Sequence, residues 1–187
     1  MVLMYLHGFR SSPDSNKGQV MREALGEKFT FLAPDLNVSP LAVQKILLET
    51  AKDINPSQLC LAGSSLGGFY ATWLAEKIGC RAILFNPATE PWCVINDYLG
   101  VQPIANTGRT IEVKPEFADQ AKSMHCEIIH PERYLVFLST ADKVLDWHKA
   151  QKKYCACRQI LLPANTHEIT DFEQCLSEIE HFAAANQ

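Results

Sequence analysis

Ser65 is the residue whose surroundings point most directly to chemistry. It lies at the centre of GSSLG, residues 63–67, which fits the pattern G-x-S-x-G in one register only. In this pattern a serine sits on a sharp turn, and the residues two before and two after it come so close that both must be small. Gly63 and Gly67 meet that need. We predict that Ser65 is a nucleophile and that its neighbour Ser64 is not.

The sequence on either side of Ser65 fits such a turn. The apolar run LCLAG, residues 59–63, has the length of a buried strand, and Phe69, Trp73 and Leu74 follow at helical spacing. The pattern G-x-S-x-G is frequent by chance, and a purely structural turn is the alternative reading. The order of strand, turn and helix is what favours a nucleophile.

A serine hydroxyl attacks effectively only when a nearby base removes its proton, so one of the six histidines must reach Ser65. His167 is the best candidate because it follows the last apolar run and precedes the last helical segment. A loop at the carboxyl edge of a sheet would hold it there. His7 ends the first apolar run and is expected to shape the loop that follows. The other four lie in helical segments or in a long interval before the fifth run.

The base needs a carboxylate to hold its tautomer and to stabilise its charge. Asp142 directly follows the fifth apolar run and should lie at the same sheet edge as Ser65. Asp146 competes, but an acidic residue near a helix start is stabilising through the helix dipole alone. Asp35 is expected to cap or turn the chain. The resulting order, Ser65, Asp142, His167, is the order found in α/β-hydrolases.

Acyl transfer also requires backbone N–H groups that stabilise an oxyanion. One should come from Leu66, the residue after the nucleophile. The other should come from Phe9, in the loop HGFRSSP after the first strand, where Gly8 allows a close approach. Arg10 in the same loop is a candidate for contacting a polar substrate group, although such residues more often cap the following helix.

The elements that must hold these residues are visible as short apolar runs separated by helical segments. One helical segment is opened by Ser39-Pro40, and the last runs from Ile169 to Ala183. Alternating strands and helices indicate an α/β fold with a six-stranded, mostly parallel sheet and helices on both faces. The predicted strand order is 2-1-3-4-5-6, in which the first and third strands are neighbours and the loop after the first strand lies beside Ser65. The six predicted strands are 2–7, 30–34, 59–63, 81–85, 134–139 and 158–163.

Residues 87–132 interrupt this alternation, because no buried strand can be recognised in them. An excursion of this length is uncommon unless it folds into helices or covers a site. We predict a small cap inserted into a single domain of residues 1–187. Its apolar residues Trp92, Ile95 and Leu99 are expected to line an acyl pocket; the alternative is that they simply pack on the scaffold.

Composition limits the classes of partner. Apolar residues make up 47% of the 187 residues and the net charge is −4, which is typical of a globular protein. An acidic balance argues against binding nucleic acid or anionic membranes, so a small molecule is the expected partner. No signal peptide or membrane-spanning run is recognised, which predicts a cytoplasmic protein. The oligomeric state is not predicted.

The cysteines predict no metal or cofactor. Their number, seven, is odd, and several lie in apolar patterns where a thiol packs as a small hydrophobe. Cys155 and Cys157 lie near His148, so a zinc site is conceivable. However, no second close pair of Cys or His residues completes four ligands.

The chain resembles the small bacterial esterases of the YqiA/YcfP type within the α/β-hydrolase superfamily. The resemblance runs nearly from end to end. It implies a triad of Ser65, Asp142 and His167 and activity on acyl esters or thioesters. The segments that carry it are MYLHGFRSSP, GSSLGGFYATWLAE, NPATEPW, DYLG, ADKVLDW and NTHEITDFE.

These observations predict a serine hydrolase that cleaves carboxylic esters or acyl thioesters, acyl-CoA included, through an acyl-enzyme. Two alternatives stay open. The same residues would support a different reaction on the same fold, or the protein would bind a small acyl ligand without turnover.

Overall fold

The computed structural model describes residues 1–185 and contains a six-stranded parallel sheet. Its strands lie in the order β2-β1-β3-β4-β7-β8, and a separate antiparallel pair is formed by β5 and β6. Without that pair, the order is the predicted 2-1-3-4-5-6, and the predicted fold class is confirmed. The strands are β1 (Val2–Leu6), β2 (Thr30–Leu32), β3 (Leu59–Ser64), β4 (Arg81–Phe85), β5 (Gly100–Pro103), β6 (Thr110–Val113), β7 (Tyr134–Ser139) and β8 (Arg158–Leu162).

The central strands explain why the sequence shows continuous apolar runs. Every residue of β3, β4 and β7 is buried, because helices cover both faces of the sheet. The edge strands β2 and β8 are more exposed. Side chains that alternate along the strands supply two separate cores, one on each face.

Six helices of the described chain surround the sheet. Met21 of α1 and Ile179 of α6 belong to one core, whereas Leu47 of α2 and Leu74 of α3 belong to the other. No helix within residues 1–185 combines the length and the apolar character needed to cross a bilayer. The helices are α1 (Asn16–Leu25), α2 (Pro40–Ala51), α3 (Leu66–Ile78), α4 (Glu116–Lys122), α5 (Trp147–Lys153) and α6 (Leu176–Ala184).

The structure tests the predicted start positions of two helices. Helix α2 begins at Pro40 as predicted, and the Ser39 hydroxyl caps it by accepting from the Ala42 amide at 3.3 Å. The last helix begins at Leu176, not at Ile169, so that prediction is wrong. Ile169 is fully buried in the core but has a φ of 53°, which no right-handed helix tolerates.

The 87–132 segment, between β4 and β7, contains α4, two short 3₁₀ turns, the start of a third and the β5–β6 hairpin. In β6, Ile111 and Val113 are buried whereas Thr110 and Glu112 are exposed. This alternation replaces the continuous apolar run of the main sheet, which explains why sequence reasoning recognised no buried strand there. Strand β6 therefore presents one apolar face towards the rest of the chain.

The turn after β3 depends on the two glycines of the G-x-S-x-G pattern. A Cβ on Gly67 would lie 2.0 Å from the Leu6 carbonyl oxygen, and one on Gly63 would lie 2.5 Å from the Gly67 oxygen. Both neighbours are backbone atoms, which cannot move aside cheaply. The predicted need for small residues at both positions thus has a direct steric cause.

Replacing Gly67 by alanine should lower the free energy of unfolding by about 3 kcal/mol, because its methyl group would overlap β1. Gly108→Ala is the matched control. Gly108 has a φ of 68° but open space around it, so the cost should be about 1 kcal/mol. Urea titration measures both values. Equal losses in the two variants would contradict the steric account.

Candidate active site

Ser65 sits on a strained turn that joins β3 to α3. Its φ of 54° and ψ of −118° are unusual for a residue with a side chain. Backbone hydrogen bonds hold it on both sides: its amide donates to Phe85 O at 3.0 Å, and its carbonyl accepts from Gly68 at 2.9 Å and from Ala88 at 3.0 Å. Such strain persists only where the surroundings enforce it, as here.

Asp142 and His167 contact each other. The His167 Nδ1 donates to the Asp142 Oδ2 at 2.7 Å, and the Asp142 side chain is only 1% exposed. The other carboxylate oxygen accepts from the amides of Val144 at 2.8 Å and Leu145 at 2.9 Å. A carboxylate can only accept, so the proton of His167 lies on Nδ1 and Nε2 stays free as a base.

The charge of Asp142 is stabilised where it lies. Burial alone would raise the pKa of this carboxyl group, because it disfavours the charged form. The hydrogen bond from His167 and those from the amides of Leu145 and Val144 outweigh burial and lower the pKa below its ordinary value. Asp142 is therefore ionised at neutral pH, as a residue that orients a catalytic histidine must be.

Ser65 and His167 line the same cavity, whose volume is about 500 Å³. Within the described part of the chain, the Ser65 hydroxyl makes no hydrogen bond to another residue. It is thus open to a molecule in the cavity. Its hydrogen bond to the base is therefore not formed in the described chain. Such a bond often forms only when a substrate binds.

The loop after β1 passes directly beside the turn at Ser65. A Cβ on Gly8 would lie 3.2 Å from the Ser65 Cβ, so only glycine allows this approach without displacing a neighbour. The amides of Phe9 and Leu66, the two predicted oxyanion donors, have no hydrogen-bond acceptor within residues 1–185. Both residues line the cavity that Ser65 faces.

Three carbonyl groups of this loop accept hydrogen bonds that hold the loop in place. Gly8 O accepts from His7 Nδ1, Arg10 O from the amide of Ala105, and Ser11 O from Asn37 Nδ2, each at 2.8 Å. The bond to Gly8 O fixes the peptide group that joins Gly8 to Phe9. Its free N–H is consequently held in one orientation rather than averaged over several.

His7 shapes this loop, as its position at the end of β1 suggested. Its ring is buried, and its Nε2 accepts from the Leu36 amide at 2.9 Å while Nδ1 donates to Gly8 O. Burial lowers the pKa of His7, and the bond to Gly8 and the nearby Asp35 offset this only in part. His7 is therefore a neutral structural residue.

The other carboxylates considered from the sequence have local partners. Asp146 caps α5, since its Oδ1 accepts from the His148 amide at 3.1 Å. Asp35 accepts from the Asn37 amide at 3.1 Å and pairs with Arg109 at 2.6 Å. Neither of them contacts His167. Within residues 1–185, no group of three or more His, Cys, Asp or Glu side chains is arranged to hold a metal ion.

Only two of the four residues predicted to contact substrate line the cavity. Ile95 lines the cavity, and so does Arg10, whose guanidinium donates to Gln102 Oε1 at 3.2 Å. Trp92 lies outside the cavity wall and packs edge-on against the Phe69 ring. Leu99 also lies outside the wall and is 45% exposed. The sequence identified apolar patches but could not show which way each faces.

The sequence did not reveal the set of apolar residues that line the cavity together with Ser65 and form its apolar wall. Its residues come from the loop before α2, from α3, and from the 3₁₀ turn, hairpin and α4 of the 87–132 segment. The alternating pattern of β6 was the one available signal. The wall includes Leu36, Tyr70, Tyr98, Ile111, Val113 and Phe117.

Comparison with known proteins assigns nearly the whole chain to one family. The family described as Uncharacterised protein family (UPF0227) matches residues 2–184. The chain belongs to the UPF0227 family. A UPF0227 protein of Citrobacter koseri is 23% identical over 188 residues, covering 97% of this chain and 98% of the relative. The UPF0227 protein YcfP of Salmonella paratyphi A is also 23% identical, over 194 residues with the same shares covered. The resemblance seen in the sequence is thus confirmed.

Solved structures with a similar backbone identify the fold of this UPF0227 protein. Est1E from Butyrivibrio proteoclasticus has a TM-score of 0.68 at 17% identity, covering 97% of this chain and 86% of that one. Carboxylesterase CesB from Bacillus subtilis has a TM-score of 0.64 at 13% identity, covering 98% and 83%. At such identities the likeness shows the fold alone, which is the α/β-hydrolase fold.

The buried His7 should make stability depend on pH. Its folded-state pKa lies below the unfolded value of about 6.5, so acidification protonates the unfolded chain first and lowers the free energy of unfolding. His7→Gln keeps an acceptor for the Leu36 amide but does not titrate. Between pH 7 and 5 it should lose less stability than the wild type, by up to about 1.4 kcal/mol per pH unit.

Urea unfolding at pH 7, 6 and 5 measures this difference. His181→Gln, at an exposed position on α6, is the control for the loss of one histidine. If His7→Gln and the wild type lose stability equally on acidification, the proposed effect of burial is wrong.

Proposed function

We propose that this protein is a serine hydrolase that cleaves carboxylic esters through an acyl-enzyme. Ser65 is the nucleophile, His167 the general base and acid, and Asp142 the residue that orients His167. The observation that carries the proposal is the cavity lined by both Ser65, on its strained turn, and His167, bound through Nδ1 to a buried carboxylate. A nucleophile, a base and an orienting group are the three parts that acyl transfer needs.

In the first half-reaction, Ser65 Oγ attacks the ester carbonyl carbon and its proton passes to His167 Nε2. The carbonyl oxygen becomes an oxyanion, which accepts hydrogen bonds from the free amides of Phe9 and Leu66. The tetrahedral intermediate then collapses. The bond to the leaving oxygen breaks, His167 returns the proton to that oxygen, and the alcohol departs.

In the second half-reaction, water takes the place of the alcohol. His167 Nε2 removes a proton from the water as its oxygen attacks the acyl carbon. Collapse of the second tetrahedral intermediate breaks the bond to Ser65 Oγ, which takes the proton back from His167. The products are a carboxylic acid and the free enzyme, and Asp142 stabilises the imidazolium in both halves.

The acyl group is proposed to lie against the apolar wall of the cavity. Ile111, Val113 and Phe117, all from the 87–132 segment, contribute to this wall, so the segment acts as a cap over the acyl group. The polar residues Asn16 and Lys17 of α1 also line the cavity, and a polar leaving group is proposed to lie near them. Thioesters are included, because a thiolate leaves by the same route.

Proteins of this fold support the proposal. Est1E has been solved with ferulic acid bound, and CesB is a carboxylesterase. A shared fold does not by itself imply a shared reaction, so the assignment rests on the site residues of this chain.

Replacing Ser65 by alanine should lower kcat by about 10⁴-fold or more, because no other group forms the acyl-enzyme. The assay is hydrolysis of p-nitrophenyl esters of increasing acyl length, with acyl-CoA thioesters alongside. Ser64→Ala is the matched control, and its kcat should stay within about threefold of the wild type.

Loss of activity in Ser64→Ala but not in Ser65→Ala would contradict the proposed nucleophile. A folded wild type that binds the esters but turns over none of them would favour the alternative of a ligand-binding protein.

A further inference from the structure

Asn86 occupies the point between the nucleophile and the base. It follows β4, is 3% exposed, and has a φ of 44°, a conformation that asparagine tolerates better than most residues. It is not part of the cavity wall, whereas Pro87 and Ala88 are. Any effect of Asn86 on a reaction must therefore act through other residues.

The side chain of Asn86 ties the base loop to the sheet. Its Nδ2 donates to the carbonyl oxygen of His167 at 2.9 Å and to Ser139 Oγ at 2.9 Å, with Thr166 O at 3.4 Å. Its Oδ1 accepts from the Ser139 amide at 2.7 Å. Both hydrogens and the oxygen of this buried amide are thus used, which leaves it one orientation.

The backbone around Asn86 holds the nucleophile. Phe85 O accepts from the Ser65 amide and the Ala88 amide donates to Ser65 O, each at 3.0 Å. The amide of Asn86 itself donates to Phe137 O at 3.0 Å. The segment Phe85–Ala88 therefore bonds both to the turn of Ser65 and to the loop of His167.

The base loop needs such a tie, because its own conformation is strained. Ala164 and Ile169, on either side of His167, have φ values of 61° and 53°. Residues held at positive φ persist only when neighbouring contacts enforce the conformation. Asn165 supplies one contact, since its carbonyl accepts from Ala141 at 3.1 Å. Asn86 supplies the contact to the backbone carbonyl of His167.

We propose that Asn86 is a positioning residue that fixes the separation between the nucleophile on the Ser65 turn and the base on the His167 loop. This inference rests on the proposed hydrolase function. A side chain that donates to His167 O while its backbone neighbours hold Ser65 sets the approach of Nε2 to Oγ. Misplacement of reacting groups by about 1 Å can cost about 100-fold in rate.

Asn86→Asp tests this role with almost no change of shape. The carboxylate keeps an acceptor for the Ser139 amide, and the Ser139 hydroxyl can turn to donate to it. The contact with His167 O becomes a repulsion between two acceptors. With p-nitrophenyl esters, kcat should fall about 10- to 100-fold while KM stays within about twofold.

Two further variants complete the test. Asn86→Gly removes the side chain without a penalty for positive φ, so it can fold even where a buried carboxylate is not tolerated. It should show the same loss of kcat. Ser139→Ala is the control, because it removes one acceptor but leaves the bond from Asn86 to His167 O. Its kcat should stay within about threefold of the wild type.

Two readouts separate positioning from a loss of folding. Thermal unfolding shows which variants are folded. The proton NMR signal of the His167 Nδ1–H, which lies in the bond to Asp142, should shift or broaden in Asn86→Asp and in Asn86→Gly but not in Ser139→Ala.

The outcomes distinguish this inference from the proposed function. A folded wild type without esterase activity means that the proposed function fails. An active wild type together with a folded Asn86 variant of unchanged kcat overturns the positioning role alone. Unfolding of both Asn86 variants would also overturn it, because the residue would then act on the whole fold.

Discussion

The turn at Ser65 is the constraint on which the rest of the structure depends. It holds a residue with a side chain at positive φ, and it does so only because backbone bonds from Phe85, Gly68 and Ala88 enforce that conformation. The same tightness demands glycine at position 67, where β1 leaves no room for a methyl group. The backbone strain at Ser65, the close packing of Gly67 against β1 and the exposure of the serine hydroxyl therefore all follow from the tightness of this turn.

The parallel strands bring the other residues of the site to the same edge of the sheet as Ser65. Because the carboxyl ends of β1, β3, β4, β7 and β8 meet at one edge, the loops that follow them are neighbours even where they are far apart in the chain. Asp142 follows β7 and His167 follows β8, and their side chains meet at 2.7 Å. Buried polar groups then lock the loops: His7 fixes the loop with Phe9, and Asn86 fixes the loop with His167.

A residue could be placed from the sequence where its position follows directly from the strand that precedes it. Asp142 and His167 could be placed at the same edge because each comes soon after an apolar run of strand length. The cap could not be resolved in this way, because Ile111 and Val113 alternate with exposed residues and their direction depends on how the hairpin packs. Asn86 was missed for a related reason. Its hydrogen-bond partners lie in two distant parts of the chain, β7 and the loop of His167, and the sequence near it carries no pattern that reveals them.

The most direct test of the central claim is to locate the covalent adduct formed with a fluorophosphonate, a reagent that reacts with activated serines. The wild type should be labelled once, and fragmentation of the modified peptide by tandem mass spectrometry should place the phosphonyl group on Ser65. Denatured protein should not react, because activation requires the folded site. A folded wild type that stays unlabelled, or a label on Ser64, would contradict this account.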